Sequence, residues 1–158
     1  MKFEYLLIIG SWIVTIILLI IYIPKDKIRE AQVAFFFKQL MTWVLGLAVV
    51  ELKLIEYPVR LFPYANKTSF TFEYFIYPSI CAIFNVHYPI NKGHLRKFIY
   101  YFFYCTTITI VEITVERYTN IINYINWNWF ITWITLYITF YLTRKYYEWF
   151  FKLNKKEI

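Results

Sequence analysis

The run YLLIIGSWIVTIILLIIYI, Tyr5 to Ile23, decides how the rest of the chain is read. It holds no charged residue and is long enough, as an α-helix rising 1.5 Å per residue, to cross about 30 Å of hydrocarbon. A secretory leader has a basic start, an apolar core of about 7 to 15 residues and a small-residue cleavage site. This run is longer, follows Glu4 as well as Lys2, and lacks such a site, so it is expected to be a retained membrane span. The charged stretch PKDKIRE, Pro24 to Glu30, ends it.

Four further apolar stretches follow, at about 31–52, 69–90, 97–115 and 127–142. With the first at about 5–23, the expected fold is an all-α, polytopic transmembrane bundle of about five spans in a single domain, 1–158. Composition agrees: of 158 residues, 60% are hydrophobic and 24% aromatic, only 17% are charged, and mean hydropathy is +0.47. A soluble domain is closer to half apolar and a quarter charged. Five spans of about 21 residues leave roughly fifty positions for loops, too few for a separate soluble catalytic domain.

Loop charge sets the expected orientation, because cytoplasmic loops hold the excess of Lys and Arg. One set of loops carries Lys25, Lys27, Arg29, Lys92, Arg96, Lys97, Arg144, Lys145, Lys152, Lys155 and Lys156. The other carries only Lys2, Lys53, Arg60, Lys67 and Arg117. The amino terminus is therefore expected outside and the carboxyl terminus in the cytoplasm. The net charge of +7 flanks apolar runs and is not gathered on a soluble face, which argues against nucleic acid as a partner. The outer segment KLIEYPVRLFPYANKT, Lys53 to Thr68, has two prolines and apolar residues between charges, so it is expected to lie against the outer interface. Its Asn66-Lys67-Thr68 is a glycosylation sequon by pattern.

Ionisable groups at bilayer depth cost about 2.5 to 3.5 kcal/mol each on insertion scales and normally face the protein interior. Glu51, Glu73, Glu112 and Glu116 all fall near the outer third of the bilayer, with Arg60 and Arg117 near enough in sequence to supply counter-charge. These six form the candidate buried polar site, and Arg60 or Arg117 is expected to contact Glu73, Glu112 or Glu116 and hold the outer loop over the bundle. For Glu73 and Glu112 two readings stay open: a structural bond between helices, or a site for an ion, proton or ligand. A candidate inner-side site comprises Lys38, Asn85 and His87. Lys38 either snorkels to the cytoplasmic headgroups or pairs within the bundle or with a lipid phosphate. Polar stripes at helical spacing, Tyr101, Cys105, Thr109, Glu112 and Glu116 on the fourth span and Asn128, Thr132, Thr135, Thr139 and Thr143 on the fifth, would pack together most economically.

Catalytic motifs are lacking. Asp26 is the only aspartate, the only glycines are Gly10, Gly46 and Gly93, and no zinc-protease, nucleophile-elbow or phosphate-loop pattern occurs. No enzyme, cofactor or metal site is expected; His87 and His94 are too few ligands for a metal, and Cys81 and Cys105 read as buried thiols.

Three stretches, IPKDKIREAQVAFFFKQLMTWVLGLAVVE at Ile23 to Glu51, YPVRLFPYANKTSFTFEYFIYPSICAIFN at Tyr57 to Asn85, and TWITLYITFYLTRKYYEWF at Thr132 to Phe150, resemble a family of small five-helix integral membrane proteins of endospore-forming Gram-positive bacteria, known mainly as uncharacterised. The resemblance implies a bacterial cell or spore membrane and supplies no activity. From the residues, the first expectation is a non-catalytic subunit of a homo-oligomeric or larger membrane assembly, with the lipid bilayer and copies of itself or another membrane protein as partners. The alternative is a proton or cation channel or transporter that uses buried glutamates. A weaker alternative is a lipid-modifying enzyme.

Overall fold

The computed structural model describes residues 2–153. It is all-helical, with 74% of residues in helix and five helices. Lys155 and Lys156, counted above among the cytoplasmic charges, lie outside the described residues. The helices are α1 (Lys2–Tyr22), α2 (Ile28–Glu51), α3 (Tyr77–Val86, preceded by a π-helical segment Phe70–Ile76), α4 (His94–Tyr118) and α5 (Trp129–Phe150). Three stretches are long and apolar enough to cross a membrane: Phe3–Tyr22, Lys25–Glu51 and His94–Tyr118. Phe70–Val86 is apolar but shorter, and α5 runs past the expected end at Leu142 to Phe150.

Pro24 ends the first helix by removing a backbone donor, and a single 3-10 turn, Lys25–Lys27, leads into α2. Asn128 belongs to no stripe; it caps α5, accepting hydrogen bonds from the Phe130 and Ile131 amides at 3.0 Å. On α1 the inward face is Glu4, Ile8 and Thr15, at helical spacing, while Leu6, Ile9, Ile13 and Ile20 point outward. An apolar outer surface of this kind is what lipid covers.

The shortest helix is the hub. Almost every residue of α3 is buried, and α1, α2 and α5 all pack on it. Phe84 of α3 sits inside a ring of Tyr88, Tyr100, Tyr101, Tyr104 and Phe140, with centroids 4.9 to 5.6 Å away. That cluster ties α4 and α5 to the hub. Both thiols are free and buried beside it.

The loops gather at opposite ends of the bundle. At one end the 52–69 and 119–128 segments pair through a short antiparallel ladder of β1 (Ile55–Glu56) and β2 (Asn123–Tyr124), with Ile55 opposite Tyr124 and Glu56 opposite Asn123. Bonds from the Ile125 and Asn126 amides to the Leu54 carbonyl, and from the Val59 amide to the Asn120 carbonyl, extend the joint. Ile55, Tyr57 and Ile122 fill its underside, so the segment is a lid and not a free loop. At the other end His87 Nε2 meets the Tyr22 carbonyl at 2.7 Å, Tyr147 donates to Glu30 at 2.5 Å, and Arg144 bonds Glu148 at 2.9 Å.

Candidate functional site: a two-carboxyl cavity under the lid

Pro78 organises the site. In an α-helix the amide of residue 78 would bond the Tyr74 carbonyl, and in a π-helix the Glu73 carbonyl; proline has no amide hydrogen and can serve neither. Helix α2 supplies both missing donors. Thr42 Oγ1 donates to the Glu73 carbonyl at 2.6 Å and Gln39 Nε2 to the Tyr74 carbonyl at 2.8 Å. The widened turn Phe70–Ile76 is thus pinned to α2, with Ser69 capping its start at the Phe72 amide. Wide turns of this type occur often at functional sites.

The widened turn aims the Glu73 side chain at Gly46. A Cβ at position 46 would lie 1.9 Å from Glu73 Oε2, so glycine is what lets the carboxyl approach the α2 backbone. Glu73 is 4% exposed; its carboxyl accepts from the Tyr57 hydroxyl at 3.2 Å and from the Thr68 hydroxyl, both on the lid segment. The Thr68 of the sequon is therefore spent inside the protein. Glu112 of α4 accepts from Tyr77 at 2.5 Å on Oε2, and from Tyr124 at 2.5 Å and Thr132 at 2.9 Å on Oε1. Trp127 Nε1 in turn donates to Thr132 Oγ1 at 2.7 Å. Five hydroxyls from two loop segments and two helices converge on two carboxyls.

Both carboxyls line one cavity of about 330 Å³ between α2 and α5. Tyr57, Tyr77 and Thr132 complete its polar wall, while Leu45, Ala48, Val49, Leu52, Ile55 and Leu136 make the apolar one. Thr139 lies at its deep end and accepts the Lys38 ammonium. On the lid, burial pushes the Tyr57 hydroxyl well above its ordinary value of 10.0, and the neighbouring Glu73 and Glu112 add to the shift. Burial and then Glu112 raise Tyr124 as well. Both phenols therefore remain protonated donors at neutral pH.

Of the six residues of the expected outer site, the fold brings together two carboxyls. Glu51 and Arg117 are exposed at helix ends, and Glu116 is half-buried one turn beyond Glu112. The expected arginine contact is corrected: among the described residues the ion pairs are Arg144 and Lys145 with Glu148, and neither Arg60 nor Arg117 reaches a glutamate. Arg60 bonds backbone carbonyls instead, Tyr57 at 2.6 Å, Asn66 at 2.9 Å and Pro63 at 3.3 Å, shaping the lid from within. The physical reason is supply. The Arg60 guanidinium is taken up by three lid carbonyls, the Tyr57 and Thr68 hydroxyls supply one hydrogen bond to each Glu73 oxygen and leave each a further lone pair, and the lid is held by its ladder.

The inner residues do not form one site. Lys38 is wholly buried, binds Thr139 and lies 4.4 Å from the centre of the Phe140 ring, so it pairs within the bundle and does not snorkel. Asn85 donates to the Cys81 carbonyl at 2.9 Å, and its own carbonyl accepts from Arg144 at 3.4 Å. His87 turns away to α1. Sequence reading missed Gly46, Tyr57, Thr68, Tyr77 and Tyr124 as site residues; the one available signal was a proline five residues after a glutamate in an apolar run. Among the described residues no cluster of three metal-ligating side chains occurs.

Comparisons with protein-family models, with curated proteins and with solved structures find no match to this chain.

Proposed function

We propose that the chain is a non-catalytic, five-span membrane protein, amino terminus outside and carboxyl terminus in the cytoplasm, that binds a cation or proton at Glu73 and Glu112. The observation that carries this reading is the pairing of two carboxyls on one cavity with hydroxyl donors alone around them. Two carboxylates facing a shared apolar space repel each other until a positive charge or protons neutralise them. Among the described residues the ammonium near the cavity is that of Lys38, which lies beside Thr139 and bonds its hydroxyl, not a carboxyl. The residues thus favour the cation reading over the assembly-subunit reading. Polar helix faces left toward lipid would call for a partner, whereas Thr132, Thr139 and Thr143 with Glu73 are buried within one chain. Location in a bacterial cell or spore membrane rests on the resemblance alone.

The test is thermal unfolding of the protein in nanodiscs against a panel of Na+, K+, Ca2+ and organic ammonium ions. A ligand that binds only the folded state at 100 times its Kd stabilises by about 2.7 kcal/mol. Saturable stabilisation by a cation, lost in the Glu73→Gln, Glu112→Gln double variant, supports the reading. Equal response in protein and variant to every cation rejects it.

A further inference from the structure

Resting on that reading, we infer that the cation is the head of an amphiphile, an amine on an apolar tail, which enters from the bilayer through the gap between α2 and α5. The two helices are joined tightly at the end remote from the lid. Phe37 stacks on Tyr146 with centroids 4.0 Å apart, Tyr147 binds Glu30, and Lys38 binds Thr139. Toward the lid the cavity lies between the same helices, and the rim residues Leu45 and Ala48 of α2, with Leu52 just past its end, are exposed. Leu45 and Leu52 are 45% and 68% exposed, on or just past a helix apolar enough to lie in lipid. The opening therefore faces the hydrocarbon and not water.

Size and lining choose the occupant. A cavity of about 330 Å³ has the volume of roughly eleven waters at about 30 Å³ each. Water can solvate the carboxyl wall but gains no hydrogen bonds along Leu45, Val49, Leu52 and Leu136, and it is that apolar half which an apolar guest covers better. A bare metal ion would leave that wall uncovered and would need a shell of oxygens on several sides. An alkyl or aryl tail covers the wall, and an ammonium at its end reaches the two carboxyls opposite. Ligand pockets of about 300 to 1,000 Å³ with apolar walls and a few convergent polar groups have this character. The Lys38 charge at the deep end discourages an amine from entering head first beyond Thr139, which fixes the head beneath the lid.

The experiment uses the full chain in nanodiscs with three spin-labelled probes of one chain length, an alkylamine, an alkanol and an alkanoate, and reads the motionally restricted fraction by electron paramagnetic resonance. The expected result is a restricted amine component that saturates at one probe per protein. Excess unlabelled dodecylamine should displace it and tetramethylammonium should not. Binding should weaken about tenfold in Glu112→Gln, the loss of one charge-assisted contact, and vanish in Ala48→Phe, a change at an exposed rim position that leaves the carboxyls in place. Displacement by tetramethylammonium as readily as by dodecylamine would overturn the amphiphile while leaving a cation site intact. Equal restriction of amine and alkanol, unchanged in both variants, would mean ordinary lipid contact and would overturn the inference outright.

Discussion

Gly46→Ala sets two effects of opposite sign against each other. In a helix interior, glycine to alanine normally gains roughly 0.5 to 1 kcal/mol from backbone entropy. Here the new methyl would stand 1.9 Å from Glu73 Oε2 and 2.1 Å from its Cδ, so the carboxyl must leave. It gives up the Tyr57 and Thr68 hydroxyls, and a buried polar group left without its partner costs about 1 to 3 kcal/mol, about 2 to 6 kcal/mol for the two. The clash wins, with a net destabilisation of about 1 to 5 kcal/mol. The assay is a double-mutant cycle with Glu73→Ala, read by denaturant or thermal unfolding in one lipid-detergent mixture. In the Glu73→Ala background the alanine at 46 has nothing to strike, and its cost should vanish or change sign. Equal cost of Gly46→Ala in both backgrounds, within about 0.5 kcal/mol, would refute the packing of Glu73 against Gly46.

Thr42→Val removes the donor to the Glu73 carbonyl and should destabilise by about 1 kcal/mol, and by clearly less in a Pro78→Ala background where a backbone amide can take over; the same unfolding assay decides it. Lys38→Met should leave stability unchanged or raise it, because a buried ammonium with one hydroxyl partner carries a large desolvation cost, and should tighten cation binding by removing a like charge; a loss above about 3 kcal/mol would reveal a partner for Lys38. The Tyr57 phenol, raised above 10.0 by burial, holds its proton more tightly folded than unfolded, so its contribution is complete below about pH 10 and is lost as pH climbs from there toward the folded value. Alkaline unfolding curves should therefore be shallower in Tyr57→Phe, and identical slopes would count against the buried position of the ring.

Helices were legible because apolar runs of spanning length carry their own signal. Their ends were less so: α5 continues through Arg144, Lys145 and Glu148 because those charges pair with one another and with Asn85, a compensation invisible before folding. Glu73 and Glu112 stood out from sequence as acids in apolar surroundings, whereas their partners did not. Tyr57, Tyr77 and Tyr124 are three of 16 tyrosines, and nothing local separates a hydroxyl that caps a buried carboxyl from one that sits at a membrane interface. Arginine was favoured as the partner on charge alone, yet Arg60 finds three carbonyls nearer to hand. Gly46 was unreadable for a similar reason, since the close approach that requires it comes from a widened turn about thirty residues away.

The most direct test of the central claim is an infrared difference spectrum of the lipid-reconstituted protein, taken as an alkylammonium ion is washed in and out. Carboxyl and carboxylate stretches report the glutamates themselves. Binding at Glu73 and Glu112 predicts a reversible difference band in that region that halves in either single glutamine variant and disappears in the double. A spectrum without carboxyl bands, or one that survives intact in the double variant, would contradict it.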